Sequence, residues 1–326
     1  GQVRTARRLG VDSVMLANAA VDEHALRYLA GELADPAFRF VCWADSPATV
    51  EAMERGLRQA RPPRPVDVCV ELGAQGGRTG ARTVADAVVV AERIAASDVL
   101  RLAGVAGYEG CLGHDRSRPA LAAVRAYLAS LTELHRAVAH LYDEGEVYVT
   151  AGGSAYFDLV AEEFAKAGAG RQRTRFTLRS GAYIVHDDGF YRQISPFDEA
   201  AAGPDAPHFH VAMRGLARVV SHPEPGLALL DGGKRDFPYD EGLPIPRRSA
   251  ADLAGPWREL PDAEVSALND QHAYLRLAGD ATAHPVGSVV ALGLSHPCTT
   301  FDKWRVLPVV ESAASDVVVD LVRTYF

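Results

Sequence analysis

The chain has 326 residues, 48% of them hydrophobic, and a formal net charge of −8. That size and apolar share provide one large core or two moderate ones, while an acidic balance with no basic run argues against nucleic acid or an anionic membrane as partner. No stretch approaches the ~20 apolar residues of a membrane span, no charged-then-apolar leader opens the chain, and Cys42, Cys69, Cys111 and Cys298 are too scattered for a disulfide framework, so a reducing, cytoplasmic compartment is expected.

In chain order, residues 1–10 read as a helix entered without a cap. Short apolar runs then alternate with amphipathic stretches. Strands are expected at 12–18, 39–43, 67–72, 102–108, 146–151 and 175–184, and helices at 22–33, 47–60, 83–95, 119–142 and 155–167, the last with Ser154 as N-cap. This rhythm predicts parallel βα units buried on both faces. Polar or glycine-rich loops follow most of the strands, and in a (β/α)8 barrel the strands' C-terminal ends carry the active site. Six units are visible where a closed barrel needs eight, so two strands are expected ahead of Gly1. Beyond about residue 190, apolar runs alternate with Gly, Pro and Asp, which predicts a mostly antiparallel β domain. The expected division is 1–190 and 191–326.

Several residue groups have chemistry in them, and each also has a plainer reading. In His296-Pro297-Cys298, an extended segment would point an imidazole and a thiolate to one side, fit for a borderline metal such as Zn²⁺; a buried cysteine beside a loop histidine is the alternative. The Gly152-Gly153-Ser154 turn, between a strand and a helix, is either an anion cradle or an ordinary capped turn. Gly181-Ala182-Tyr183 closes the next strand and could approach the same anion, or simply pack. Arg78 lies among glycines at a strand end, Tyr108 follows another strand, and His272 is a candidate catalytic group from the second domain. The chain has three lysines, Lys166, Lys234 and Lys303, against 31 arginines.

Taken together, these residues resemble a known family. Residues 295–304, Ser-His-Pro-Cys-Thr-Thr-Phe-Asp-Lys-Trp, are similar to the metal-binding signature of D-serine dehydratase-like and D-threonine aldolase-like enzymes. Supporting matches run through Val70–Gly73 to Gly80, Gly107–Gly110, Gly152–Ser154, Gly181–Tyr183 and Leu230–Lys234, essentially the whole chain in order. The resemblance implies a (β/α)8 barrel of alanine-racemase type followed by a mostly antiparallel β domain. It implies pyridoxal 5'-phosphate held at its phosphate by Gly152, Gly153, Ser154, Gly181, Ala182 and Tyr183, with Arg78 and Tyr108 facing the ring. It also implies Zn²⁺ or another divalent metal on His296 and Cys298, a D-amino acid substrate and a homodimer. The family's Schiff-base lysine lies on the first barrel strand; none of the three lysines fits, so it is expected upstream of Gly1.

The implied activity is a lyase that converts D-serine or a related D-3-hydroxy-amino acid to a 2-oxo acid and ammonia, the cofactor acting as electron sink and the metal as Lewis acid for the departing hydroxide. The alternative from the same parts is a D-threonine aldolase that gives glycine and an aldehyde. A non-catalytic pyridoxal-phosphate-binding protein and a metal-dependent hydrolase are the readings from other classes.

Overall fold

Continuous apolar runs become parallel strands in the first half of the chain. A computed structural model describes residues 1–143, 145–167, 173–198, 205–278 and 283–325, and divides them into two units, Gly1–Ser180 and Gly181–Phe326. After helix α1 (Gln2–Arg8), the first unit alternates β1 (Ser13–Met15), α2 (Glu23–Glu32), β2 (Arg39–Ala44), α3 (Pro47–Ala60), β3 (Val66–Leu72), α4 (Val84–Ala95), β4 (Leu100–Gly107), α5 (Arg118–Ala137), β5 (Val147–Ala151), α6 (Phe157–Ala167) and β6 (Thr174–Leu178). The sheet order is β1-β2-β3-β4-β5-β6, every pair parallel. Each strand therefore lies beside its sequence neighbour. With crossovers of one hand this is the wall of a (β/α) barrel, whereas a doubly wound sheet reverses its order partway.

Local chemistry explains the elements. Residues from β2, β3 and β4 are almost all buried, as strands covered on both faces require. Helix starts carry their own signals: the side chains of Asp22, Ser46, Thr83 and Ser117 each accept a backbone N–H of the first turn, and proline follows Ser46 and Ser117 within two residues.

Two local expectations are corrected. β6 ends at Leu178 instead of running to residue 184, because Gly181 leaves the extended region (φ −141°, ψ −25°) and residues 182–184 form a 3₁₀ turn. Helix α6 begins at Phe157, so a turn separates it from Ser154, which is not its N-cap.

The second unit is built on antiparallel strands. These are β7 (Arg214–Glu224), β8 (Leu227–Leu230), β9 (Ile245–Ala250), β10 (Arg258–Glu259), β11 (Ala263–Leu268), β12 (Ala273–Leu277) and β13 (Val289–Gly293), preceded by a short helix α7 (Phe190–Ile194). Their order is β10-β9-β13-β7-β8-β12-β11. Val219, Leu230, Phe237, Leu275, Val290 and Leu292 are among the residues of its core. A separate ribbon pairs β14 (Val306–Val310) with β15 (Val318–Arg323). No helix among the described residues is long and apolar enough to cross a membrane.

Candidate functional site

In the first unit, side chains gather at the C-terminal ends of β2 to β6. Arg179, directly after β6, turns its guanidinium back over the sheet. It donates to Thr150 Oγ1 (2.8 Å) and to the Gly107 carbonyl (2.7 Å), and it lies 4.7 Å from the Trp43 ring. Burial pulls its pKa down, and Glu109 acts in the opposite sense. Trp43 is itself buried, and its indole Nε1 has no hydrogen-bond partner. A buried donor without a partner is costly in water-free surroundings and marks a place where a polar ligand group fits.

Two buried carboxyls share this end. Glu71 accepts from Thr79 Oγ1 (3.0 Å), and Glu109 accepts from the backbone N–H of Gly152 (3.0 Å) and Gly153 (2.7 Å). Burial raises both pKa values, while Thr79 and the two glycine amides respectively work against the shift. The first two amides of the expected phosphate cradle are thus taken by a side chain of the protein. The glycines remain required for another reason. Gly152 has φ +104°, and a Cβ on Gly153 would come within 2.8 Å of the Tyr108 ring. Arg78 stacks over that same ring at 4.4 Å, so the structure brings Arg78 and Tyr108 together. Tyr127 fixes the loop by donating to the Leu72 carbonyl (2.6 Å) and accepting from Tyr108 N–H (2.9 Å).

Gly181, Ala182 and Tyr183 open the second unit. Ala182 is buried, and the half-exposed Tyr183 ring stacks on Phe209 at 5.7 Å.

The second unit also carries His296 and Cys298, on the loop that leaves β13. This loop is not extended. His296 sits in the left-handed region (φ 56°, ψ 84°) and caps a one-turn helix, Pro297–Thr300, with proline at its start. The imidazole and the thiol are nevertheless neighbours: Cys298 is the first influence on His296 and, with Asp240, raises its pKa to about 9 against the effect of burial. His296 Nδ1 lies 2.6 Å from Asp240 Oδ2, and Thr299 Oγ1 donates to Asp240 Oδ1 (2.7 Å). Burial alone would raise Asp240; these two hydrogen bonds outweigh it and hold the carboxyl below its usual value.

A buried carboxylate sets the loop's backbone. Asp187 Oδ2 accepts from His296 N–H (2.7 Å), and its Oδ1 accepts from the N–H groups of Gly189, Tyr191 and Arg192 at 3.2, 2.8 and 3.3 Å. Ser295 Oγ accepts from Phe190 N–H (3.1 Å) and donates to the Glu241 carbonyl (2.6 Å). Asp188 pairs with Arg192 and Arg247, and any side chain at Gly293 would collide with its carboxylate.

Lys234 and Lys303 both lie near the Tyr239 ring, at 5.6 and 5.4 Å. Lys166 is exposed on α6 beside Glu163. His272 is exposed in the turn between β11 and β12, and no hydrogen bond of its ring joins it to His296 among the described residues.

Among the described residues no three or more His, Cys, Asp or Glu side chains form a group able to hold a metal. The donor set is the pair His296 and Cys298. It fits a metal in one specific respect: with Asp240 on Nδ1, the ring's Nε2 is the nitrogen left to act as a ligand, the arrangement metal-binding histidines generally show. Sequence reading missed Asp240, which lies in a proline-rich stretch 56 residues before its partner, and Asp187. It also missed Arg179, which the overlong strand placed in mid-sheet. Glu109 stood inside a quoted glycine motif without a role.

Residues 212–310 match the family described as "Putative serine dehydratase domain". The chain is 28% identical over 308 residues to a D-threonine aldolase from an Arthrobacter species, covering 92% of this chain and 71% of that one. It is also 29% identical over 183 residues to the 3-hydroxy-D-aspartate aldolase of Paracoccus denitrificans, covering 55% of this chain and 43% of that one. The structure is similar to D-threonine aldolase from Filomicrobium marinum, with a TM-score of 0.76, 23% identity and coverage of 98% and 78%. D-threo-3-hydroxyaspartate dehydratase from Delftia sp. HT23 superposes with a TM-score of 0.73 at 21% identity, covering 100% and 82%. An alanine racemase-like protein from Idiomarina loihiensis follows at 0.67 and 15%, covering 94% and 77%. The solved structures agree on an alanine-racemase-type fold. The chain is thus similar over most of its length to a D-threonine aldolase, and its residues 212–310, with the stretch 295–304, match the putative serine dehydratase domain.

Proposed function

We propose that this chain provides the cofactor and metal ends of a pyridoxal-phosphate- and divalent-metal-dependent dehydratase that converts D-serine, or a related D-3-hydroxy-amino acid, to a 2-oxo acid and ammonia. The observation that carries this reading is the His296–Asp240 pair beside Cys298, inside the segment that matches the serine dehydratase family. When bound, pyridoxal phosphate supplies an electron sink at the substrate's α-carbon and the metal a Lewis acid at its 3-oxygen.

The chain's own residues do the positioning. His296 and Cys298 would hold the metal, a two-residue set suited to a site that also admits substrate. In the first unit, Arg78 and Tyr108 offer a cation and an aromatic face in one stack. Arg179 and the Trp43 indole N–H offer buried donors for an anionic or heteroaromatic group. Glu109 holds the Gly152–Gly153 turn in shape, so in this reading the two glycines give the phosphate room and not amide donors. None of Lys166, Lys234 and Lys303 is assigned the lysine chemistry of this reading.

A second reading, cleavage of the Cα–Cβ bond to glycine and an aldehyde, is favoured by one observation: the relative matched over 92% of the chain is a D-threonine aldolase. The complete protein, supplied with pyridoxal phosphate and Zn²⁺, is incubated with D-serine and with D-threonine. Pyruvate or 2-oxobutyrate with ammonia is expected. Glycine with acetaldehyde replaces the first reading by the second, and no turnover of these two or of 3-hydroxy-D-aspartate overturns both.

A further inference from the structure

We infer that Asp240 is a positioning residue for the metal ligand His296, and that Thr299 in turn positions Asp240. The inference rests on the reading of His296 and Cys298 as a metal pair. Each link is visible. Asp240 Oδ2 meets the imidazole at Nδ1 (2.6 Å), and the other oxygen of the same carboxylate accepts the Thr299 hydroxyl (2.7 Å). Thr299 Oγ1 also lies 3.3 Å from the His296 carbonyl. The result is a closed ring of contacts: backbone of His296 to Thr299, Thr299 to Asp240, Asp240 to the imidazole of His296.

A histidine side chain has two torsions and two chemically distinct nitrogens. Fixing Nδ1 against a carboxylate settles both the ring's orientation and which nitrogen faces outward as the ligand. The backbone is settled separately, by Asp187 on the His296 N–H. The His296 backbone lies in the left-handed region that a β-carbon disfavours, so the direction in which its Cβ leaves the loop is held by surrounding contacts. Asp240 then decides what the ring does beyond that point. Free imidazole rotation would lower metal affinity without removing any donor atom.

Metal affinity of the chain itself is the direct test, read by competition for Zn²⁺ with a chromophoric chelator and without any turnover. His296→Ala serves as the reference and is expected to remove most of the affinity. Asp240→Ala is expected to weaken binding about 10- to 100-fold, the usual size of an effect on a ligand's carboxylate partner. Asp240→Asn keeps an oxygen that accepts from Nδ1–H and is expected to recover a large part of that loss. Thr299→Val is expected to lower affinity by only a few fold. An Asp240→Ala protein that binds Zn²⁺ as the parent does, while His296→Ala does not, overturns the positioning role and leaves the metal pair standing. If Asp240→Asn falls as far as Asp240→Ala, the carboxylate is itself a ligand and the role assigned here is wrong. If His296→Ala binds normally, the metal pair fails and the inference with it. Far-ultraviolet circular dichroism of each variant separates loss of the site from loss of the fold.

Discussion

Both units use a fully buried carboxylate to shape a loop, and they use it differently. In the first unit, Glu109 accepts two amides, those of Gly152 and Gly153, beyond the end of β5. In the second, Asp187 accepts four, from Gly189, Tyr191, Arg192 and His296, and ties together segments more than a hundred residues apart in sequence. The regular parallel sheet already fixes most of the geometry around Glu109. The loop around His296 has no such lattice, and side chains, Asp187 foremost with Ser295 beside it, satisfy the backbone there. A buried acid is thus a local trim in one unit and a structural centre in the other.

The comparison is broken most directly at Asp187. Asp187→Ala leaves four N–H groups without their acceptor, several of them buried, and is expected to cost roughly 3–5 kcal/mol, read as a lower urea midpoint. A shift below about 1 kcal/mol would show that the loop holds itself.

Glu109→Gln is expected to cost less, about 1–2 kcal/mol near pH 4.5, since one of the two carboxyl oxygens facing the Gly152 and Gly153 amides becomes an NH2 group that cannot accept. Here the sign with pH sharpens the contrast. Burial raises the Glu109 pKa above its ordinary 4.5, so the folded state binds more protons than the unfolded one in that window. Its contribution is therefore fully present below pH 4.5 and is lost as pH rises through the folded value. Urea titrations at several pH values are expected to show the variant closing the gap on the parent toward neutrality. A gap that widens with pH is the contrary result.

The smallest effect is expected at Gly153→Ala. The added methyl pushes on the Tyr108 ring at 2.8 Å, and a ring edge can yield by a few tenths of an ångström. A loss of about 1 kcal/mol is expected, comparable to mild overpacking. Its signature is weaker pyridoxal phosphate binding by the complete protein, because the Arg78–Tyr108 stack must move. Unchanged binding would detach that stack from the cofactor.

Much of the first unit was legible in the sequence for a definite reason. Strands covered on both faces, such as β2, β3 and β4, leave unbroken apolar runs, and Ser46-Pro47, Thr83 and Ser117 announce helices by chemistry that acts within one turn. The His296–Cys298 pair was legible because three consecutive residues carry it. What escaped reading was action at a distance. Asp240 and Asp187 reach His296 across 56 and 109 residues, and nothing local to either marks it as a partner. The conformation of residues 296–298 was misread because strand spacing was assumed where Pro297 starts a helical turn. Arg179 was hidden by a strand boundary drawn six residues too late.

The place of β13 in its sheet has a mechanical consequence. It runs between β9 and β7, hydrogen-bonded along both edges, while β10 and β11 form the rims. The loop bearing His296 is therefore rooted like a cantilever in an interior strand, whose hydrogen bonds go to β9 and β7 and to neither rim strand.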